Sequence, residues 1–279
     1  MNADIKKRNV NIIKYFAFLR NNANAPVDVK VKVLEACVSA ILYNAETWAN
    51  TKIDHLEVVY RRMLKAILGI GVTTCTEFPY IELGVPSMRT RIAMKQWEFW
   101  NKITEMNNDS PLKQVITTAE RYGLKEIKHY VDLMNTFNSK LEIEEQFFEK
   151  TRDTIRKKAD EGRSKYITYL QINPYLQTPT YYNDVLNYRQ VSMISKLRVS
   201  MHNLQVEMGR RSRIARELRL CHCQQSVEDE FHFLTQCASY VEIRYNHQIS
   251  RNAQMCEILN DKRYVEYIDL LFKHRSTLR

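Results

Sequence analysis

Turn-forming residues are scarce in this chain: it has six glycines and six prolines among 279 residues. With so few breakers, long helices are the economical reading. Also missing is any run of roughly 18 or more consecutive apolar residues, the length a membrane span needs. The apolar stretch 36–45 is too short, and Ser39 and Asn44 interrupt it. Met1-Asn2-Ala3-Asp4-Ile5-Lys6-Lys7-Arg8 has no apolar centre of a secretory leader. These absences predict an intracellular protein, nuclear or cytoplasmic, that is neither membrane-bound nor secreted. In such a reducing compartment the six cysteines are read as thiols or metal ligands before disulfides.

Hydrophobic residues make up 44% and charged residues 27%, which is globular composition and not that of a disordered chain. The length allows one large domain or two modest ones. A formal net charge of +10 favours polyanionic partners.

Val31, Leu34, Val38, Ile41, Ala45 and Trp48 recur at spacings of three and four, one face of a long helix that Pro26 can open. Leu56, Val59, Tyr60, Met63 and Ile67 form a second stripe, stopped by Gly69 as a left-handed cap. Residues 72–86 read as a connector. Ser87 opens a third helix carrying Ile92, Gln96, Phe99, Trp100 and Ile103, on which Trp97 and Trp100 are expected in the core. Ser110-Pro111 and Gly123 bound a further helix, and 124–137 and 141–158 continue the pattern. The charged stretch 152–165 reads as a linker, Tyr166 to Leu170 as a short extended piece, and 181–199 as helix again. The fold class predicted is mainly α: a helical bundle with a small C-terminal zinc knuckle and flanking helices. Three segments are expected: a helical domain over 1–160, a basic linker and helix over 161–219, and the knuckle with C-terminal helices over 220–279.

Three of the six cysteines crowd together with a histidine as Cys221-x-Cys223, eight residues, His232, four residues, Cys237. A closed Cys₃His set is a common structural site for Zn2+, and a full ligand set leaves no open catalytic position. The acids Glu228, Asp229 and Glu230 are placed to cap the helix that presents His232. His222 competes as a ligand, although its side chain should point away from both cysteines. The alternative is three buried thiols beside a surface histidine. The polar surroundings of Cys221 to Cys237 argue for metal. Cys37, Cys75 and Cys256 read as core thiols.

Between 189 and 219 lie eight basic residues, Arg189, Lys196, Arg198, Arg210, Arg211, Arg213, Arg216 and Arg219, against the two acids Glu207 and Glu217. Arginine binds phosphate in bidentate fashion, so a surface tracking RNA or DNA backbone is one reading. A solvated helix face is the other.

Two halves of a pattern carry a resemblance. Leu197-Arg198-x-Ser200-x-His202-x-Leu204, Glu207-x-Gly209-Arg210 and Arg219-Leu220-Cys221 lead into Glu228-Asp229-Glu230-Phe231-His232-Phe233-Leu234, Cys237 and Tyr240. This resembles the C-terminal tail of non-LTR (LINE-like) retrotransposon reverse transcriptases. Leu42-Tyr43-x-x-Glu46-Thr47-Trp48, Arg62-Met63-Leu64 to Ile67-Leu68-Gly69, and Glu82-Leu83-Gly84-x-Pro86 resemble the region just after that family's palm. The likeness runs from about Ile12 to Tyr240, with a divergent middle. It implies a helical thumb that grips template–primer duplex, then a linker and a Cys-Cys-His-Cys knuckle near the nucleic-acid channel. This chain differs in having only His222 between its first two cysteines.

Polymerisation needs carboxylates holding two metal ions, and no Asp-Asp pair occurs anywhere in the sequence. The expectation is therefore a non-enzymatic, nucleic-acid-binding derivative of such a polymerase: a fragment, a degenerate copy or a repurposed tail. A palm supplied by another chain would be its partner. A helical protein-interaction scaffold stabilised by zinc is the competing reading.

Overall fold

Glycines and serines set the helix boundaries. The computed structural model describes residues 14–48, 52–183 and 187–278. A helix over 14–21 (α1) is followed by α2 (Val27–Ile41), α3 (Asp54–Ile67), α4 (Phe78–Leu83) and α5 (Met88–Glu105). Next come α6 (Pro111–Arg121), α7 (Lys125–Thr136), α8 (Lys140–Asp160) and α9 (Ser164–Ile172). The chain continues with α10 (Tyr188–Arg198), α11 (Gln205–Arg211), α12 (Val241–Asn246), α13 (Met255–Leu259) and α14 (Val265–Thr277). No strand occurs among the described residues; a lone antiparallel bridge joins Leu220 to Val227. The fold is mainly α, as the spacing of apolar residues predicts. The leader assessment at Met1 to Arg8 and the start of the resemblance at Ile12 lie outside the described residues.

Gly69 ends α3 in the left-handed region at φ 63°, and Ile70 N–H returns to the Lys65 carbonyl at 3.0 Å. A Cβ there would also lie 2.7 Å from Ser192 Cβ on α10, so glycine permits both the turn and the close helix approach. Ser87 Oγ caps α5 by accepting from Thr90 N–H at 3.1 Å, and Ser139 caps α8 in the same way.

Four local readings need correction. The helix expected from the Val31 to Trp48 stripe stops short of Ala45 and Trp48: α2 ends at Ile41, and Asn44, at φ 61°, turns the chain into a short 3₁₀ segment. The connector 72–86 contains α4, because Phe78, Ile81 and Glu82 are all buried and fix a short helix against α3. The stretch 152–165 is no linker; it is the end of α8, a turn at Gly162 (φ 80°) and the start of α9. Tyr166 to Leu170 is helical, because Tyr166, Tyr169 and Ile172 recur every three residues on the buried face of α9. That spacing outweighs the short local alternation.

α5 packs on α8 and α7, α8 on α9, α9 on α13, and α10 on α14. One apolar cluster runs from Tyr15 through Leu34, Tyr60, Tyr169 and Leu197 to Phe233, Tyr267 and Leu271, and it includes Cys221 and Cys237. Residues 160 and 219 do not interrupt this core. A smaller cluster joins Trp100 and Ile103 to Tyr130, with Trp100 and Tyr130 stacked at 5.1 Å. Trp97 is half-buried and donates its indole N–H to the Phe137 carbonyl at 3.0 Å.

Candidate metal centre and basic surface

Two tight local structures face each other at the metal cluster. In the first, Cys221 N–H bonds the Ser226 carbonyl at 2.9 Å, and Gln224, at φ 59°, turns the chain between them. This places the Cys221 and Cys223 sulfurs on one side while His222 stays exposed. The second is a single π-helical turn over His232–Gln236, closed by Cys237 N–H to the His232 carbonyl at 2.8 Å. A π turn brings residues five apart together, which is the separation of His232 and Cys237.

The ligand atoms of Cys221, Cys223, His232 and Cys237 all lie within 4.8 Å of one another. Cys221 Sγ and Cys237 Sγ are 3.5 Å apart, and Cys223 Sγ is 3.3 Å from His232 Nε2. A tetrahedral ion with metal–sulfur bonds of about 2.3 Å needs S···S separations of roughly 3.8 Å. The four side chains can therefore hold a metal ion. The hydrogen bond from Cys221 holds the Cys237 thiol below its ordinary value, against the opposing effect of burial. The same contact, with burial, drives the Cys221 thiol up.

The surroundings are less polar than the sequence suggests, since Phe233, Leu234 and Tyr240 are all fully buried beside the cysteines. The acids also divide their work differently. Only Asp229 caps the π turn, its Oδ1 accepting from His232 N–H at 2.9 Å. Glu228 instead forms a buried bidentate pair with Arg275 of α14 at 2.6 and 2.7 Å, and accepts from Gln205 N–H at 2.7 Å. Glu230 accepts from Ser200 Oγ at 3.0 Å and lies 2.7 Å from His202 Nε2. Burial would raise the Glu230 carboxyl, but the His202 and Ser200 contacts outweigh it and hold it low. Those two acids anchor the cluster to the helical body.

Of the basic stretch, Arg198, Arg210, Arg211, Arg213, Arg216 and Arg219 are the expected phosphate contacts, and they do not form one surface. Arg198 is completely buried and ion-paired to Glu82, so it faces no solvent and cannot meet phosphate. That assignment is corrected: an arginine in the last turn of an amphipathic helix looks exposed in sequence, but α10 is covered by neighbours on several sides. Arg210 pairs with Glu207 at 2.6 Å, and Arg216 pairs with Asp229 at 2.9 Å. Arg219 donates to the Val206 and Ile214 carbonyls and packs over Gly209, where a Cβ would come within 2.5 Å of its Cγ. Arg211 and Arg213 are exposed and have no acidic partner among the described residues. Arg213 holds φ 57°, a left-handed conformation unusual for a side chain of its size.

Sequence reasoning did not anticipate the roles of Arg275, Glu82 and Asn260. Each lies far along the chain from its partner, and only Glu82 fell in a quoted motif. Comparison with protein families, curated proteins and solved structures finds no match for this chain. No helix among the described residues is long and apolar enough to cross a membrane.

Proposed function

We propose that the chain is a zinc-containing nucleic-acid-binding module related to the thumb and knuckle of a non-LTR retrotransposon reverse transcriptase, and that it does not itself polymerise. Two observations carry the reading: the convergence of Cys221, Cys223, His232 and Cys237, and the exposure of Arg211 and Arg213, which have no acidic partner among the described residues. Zinc fits the donor set, because three thiolates and one imidazole in a nearly closed, buried setting suit a borderline-soft tetrahedral ion. The ion would clamp the turn at Cys221 to the π turn at His232. Its role is structural, since the four side chains fill the coordination shell.

The net charge of +10 supports a polyanionic partner, and the unpaired arginines supply phosphate contacts without base selection. The pairs Glu82–Arg198 and His202–Glu230 account for several residues of the resemblance as internal supports, leaving phosphate binding to the outer arginines. A scaffold role is the competing reading, and the buried ion pairs serve it equally well.

The test combines two assays on zinc-loaded protein. Primer extension on RNA and DNA templates, with magnesium or manganese and an active polymerase as control, should yield no product. An RNA hairpin and duplex DNA should both bind, with affinity falling steeply as salt rises. Template-dependent extension would overturn the non-polymerising assignment, and absence of binding at low salt would favour the scaffold.

A further inference from the structure

A groove runs between α10 and α14, and none of the four metal-cluster residues lines it. It encloses about 530 Å³, within the range of roughly 300–1,000 Å³ typical of small-ligand pockets. Its walls combine two chemistries. Met193 and Met201 form an apolar side with the rings of Tyr188 and Phe272, while Lys196 and Arg211 supply charge. Neither Lys196 nor Arg211 has an acidic partner among the described residues. The nearby acid, Asp269, is occupied: Lys273 lies 2.7 Å and Arg189 3.4 Å from its carboxylate. His202 also borders the groove, but Glu230 and Leu204 N–H engage both of its ring nitrogens.

Unpaired cations beside thioethers and aromatic rings suit a ligand that is anionic at one end and flat and apolar at the other. A nucleotide has that character. A paired base in a duplex is stacked and cannot enter a pocket between helices, whereas a base in a single strand can. Arg211 ends α11 and Arg213 follows it by two residues, which gives a strand leaving the groove a second exposed cation to meet.

Building on the nucleic-acid reading above, we propose that the α10–α14 groove receives one unpaired base of a single strand. The base lies against Met193, Met201 and Phe272, and the adjoining phosphates meet Lys196 and Arg211.

The experiment compares a short fluorescein-labelled oligouridylate with an abasic strand of equal length, using zinc-loaded full-length protein. The base-bearing strand should bind roughly tenfold tighter or more, as stacking one base on an aromatic surface allows. The Lys196→Glu/Arg211→Glu variant, which reverses the charges that meet the phosphates, should bind both strands more weakly while the base-bearing strand keeps its advantage. Photocrosslinking of a 4-thiouridine strand to wild-type protein reads the same contact without any substitution, and should label peptides covering 188–203 or 269–272. Equal binding of the two strands, or crosslinks confined to other segments, overturns the groove assignment; salt-sensitive binding in that case leaves the nucleic-acid reading standing. Failure of either strand or a duplex to bind at low salt overturns both.

Discussion

Arg198 and Glu82 form a bidentate ion pair at 2.8 Å for both bonds, with neither side chain exposed to solvent. The remaining bonding capacity is also used. Tyr169 and Tyr182 donate to the carboxylate at 2.7 and 3.1 Å, and Arg198 Nη1 donates to the Leu259 carbonyl at 3.0 Å and to the Asn260 side chain. The pair therefore joins α4 to α10 and to the end of α13. It also connects the upstream segment of the sequence resemblance, which holds Glu82, to the tail segment, which holds Arg198. Burying two ions is costly, and removing one partner leaves the other unpaired in a dry interior.

Arg198→Met should accordingly destabilise the fold by about 3–5 kcal/mol, the range for breaking a buried pair. Arg198→Lys should recover little, because an ammonium cannot reproduce the two parallel bonds. Urea denaturation of each variant provides the measurement. An Arg198→Met protein as stable as wild type would show that the network is dispensable.

Metal content gives a second prediction. Wild-type protein should contain one zinc per chain, Cys237→Ser should lose it, and Cys37→Ser and His222→Ala should keep it. The ligand atoms converge on one point, whereas His222 is exposed and Cys37 lies on α2. Loss of zinc should loosen the chain beyond Leu220, visible as faster amide exchange there. Elemental analysis of the purified wild type and variants checks the stoichiometry. Retention of zinc in Cys237→Ser would mean a different ligand set.

Acid sensitivity should include a contribution from Glu77. Burial would raise its carboxyl, but hydrogen bonds from Lys158 at 2.6 Å and Tyr166 at 2.8 Å outweigh burial and hold it below the ordinary 4.5. A depressed carboxyl stabilises the fold fully above its unfolded value and loses that effect as pH falls through the folded one. Glu77→Gln should thus be less stable than wild type at about pH 7, with the gap closing towards about pH 3. Paired denaturation curves at the two pH values test this. A gap that widens on acidification would reverse the sign.

Arg213 supplies a fourth prediction. It occupies the left-handed position after α11, with Ile214 N–H returning to the Gly209 carbonyl at 2.8 Å, where glycine is the usual residue. Arg213→Gly should relieve strain and raise stability by about 1 kcal/mol, while removing an exposed cation. A thermal melt at matched zinc occupancy measures the change. A lower melting temperature would mean that Arg213 makes contacts that outweigh its backbone strain.

The mainly helical class and the metal cluster are both legible in sequence, for physical reasons. Stripes such as Leu56, Tyr60, Met63 and Ile67 repeat at the helical period and are buried as predicted. The cysteine spacing fixes a short-range geometry that local turns can satisfy. Other segments carry competing local signals: Tyr166 to Leu170 alternates over a few residues, yet packs as a helix on a spacing of three. The roles of Arg198, Glu228 and Glu230 are hidden in sequence because their partners lie 116, 47 and 28 residues away along the chain. Charge in sequence carries no information about such partners, so a buried arginine and a phosphate-binding one look alike until the fold is known.

Whether this module binds nucleic acid through its phosphates is decided by the salt dependence of binding. Affinity for an RNA hairpin, measured by fluorescence anisotropy across a salt series, should fall linearly on a log–log plot. Replacing Arg211 and Arg213 together with alanine should reduce the slope by about two units, one for each phosphate that is no longer neutralised. A flat plot, or a slope unchanged by both substitutions, would contradict phosphate recognition and leave these arginines as solvated surface charge.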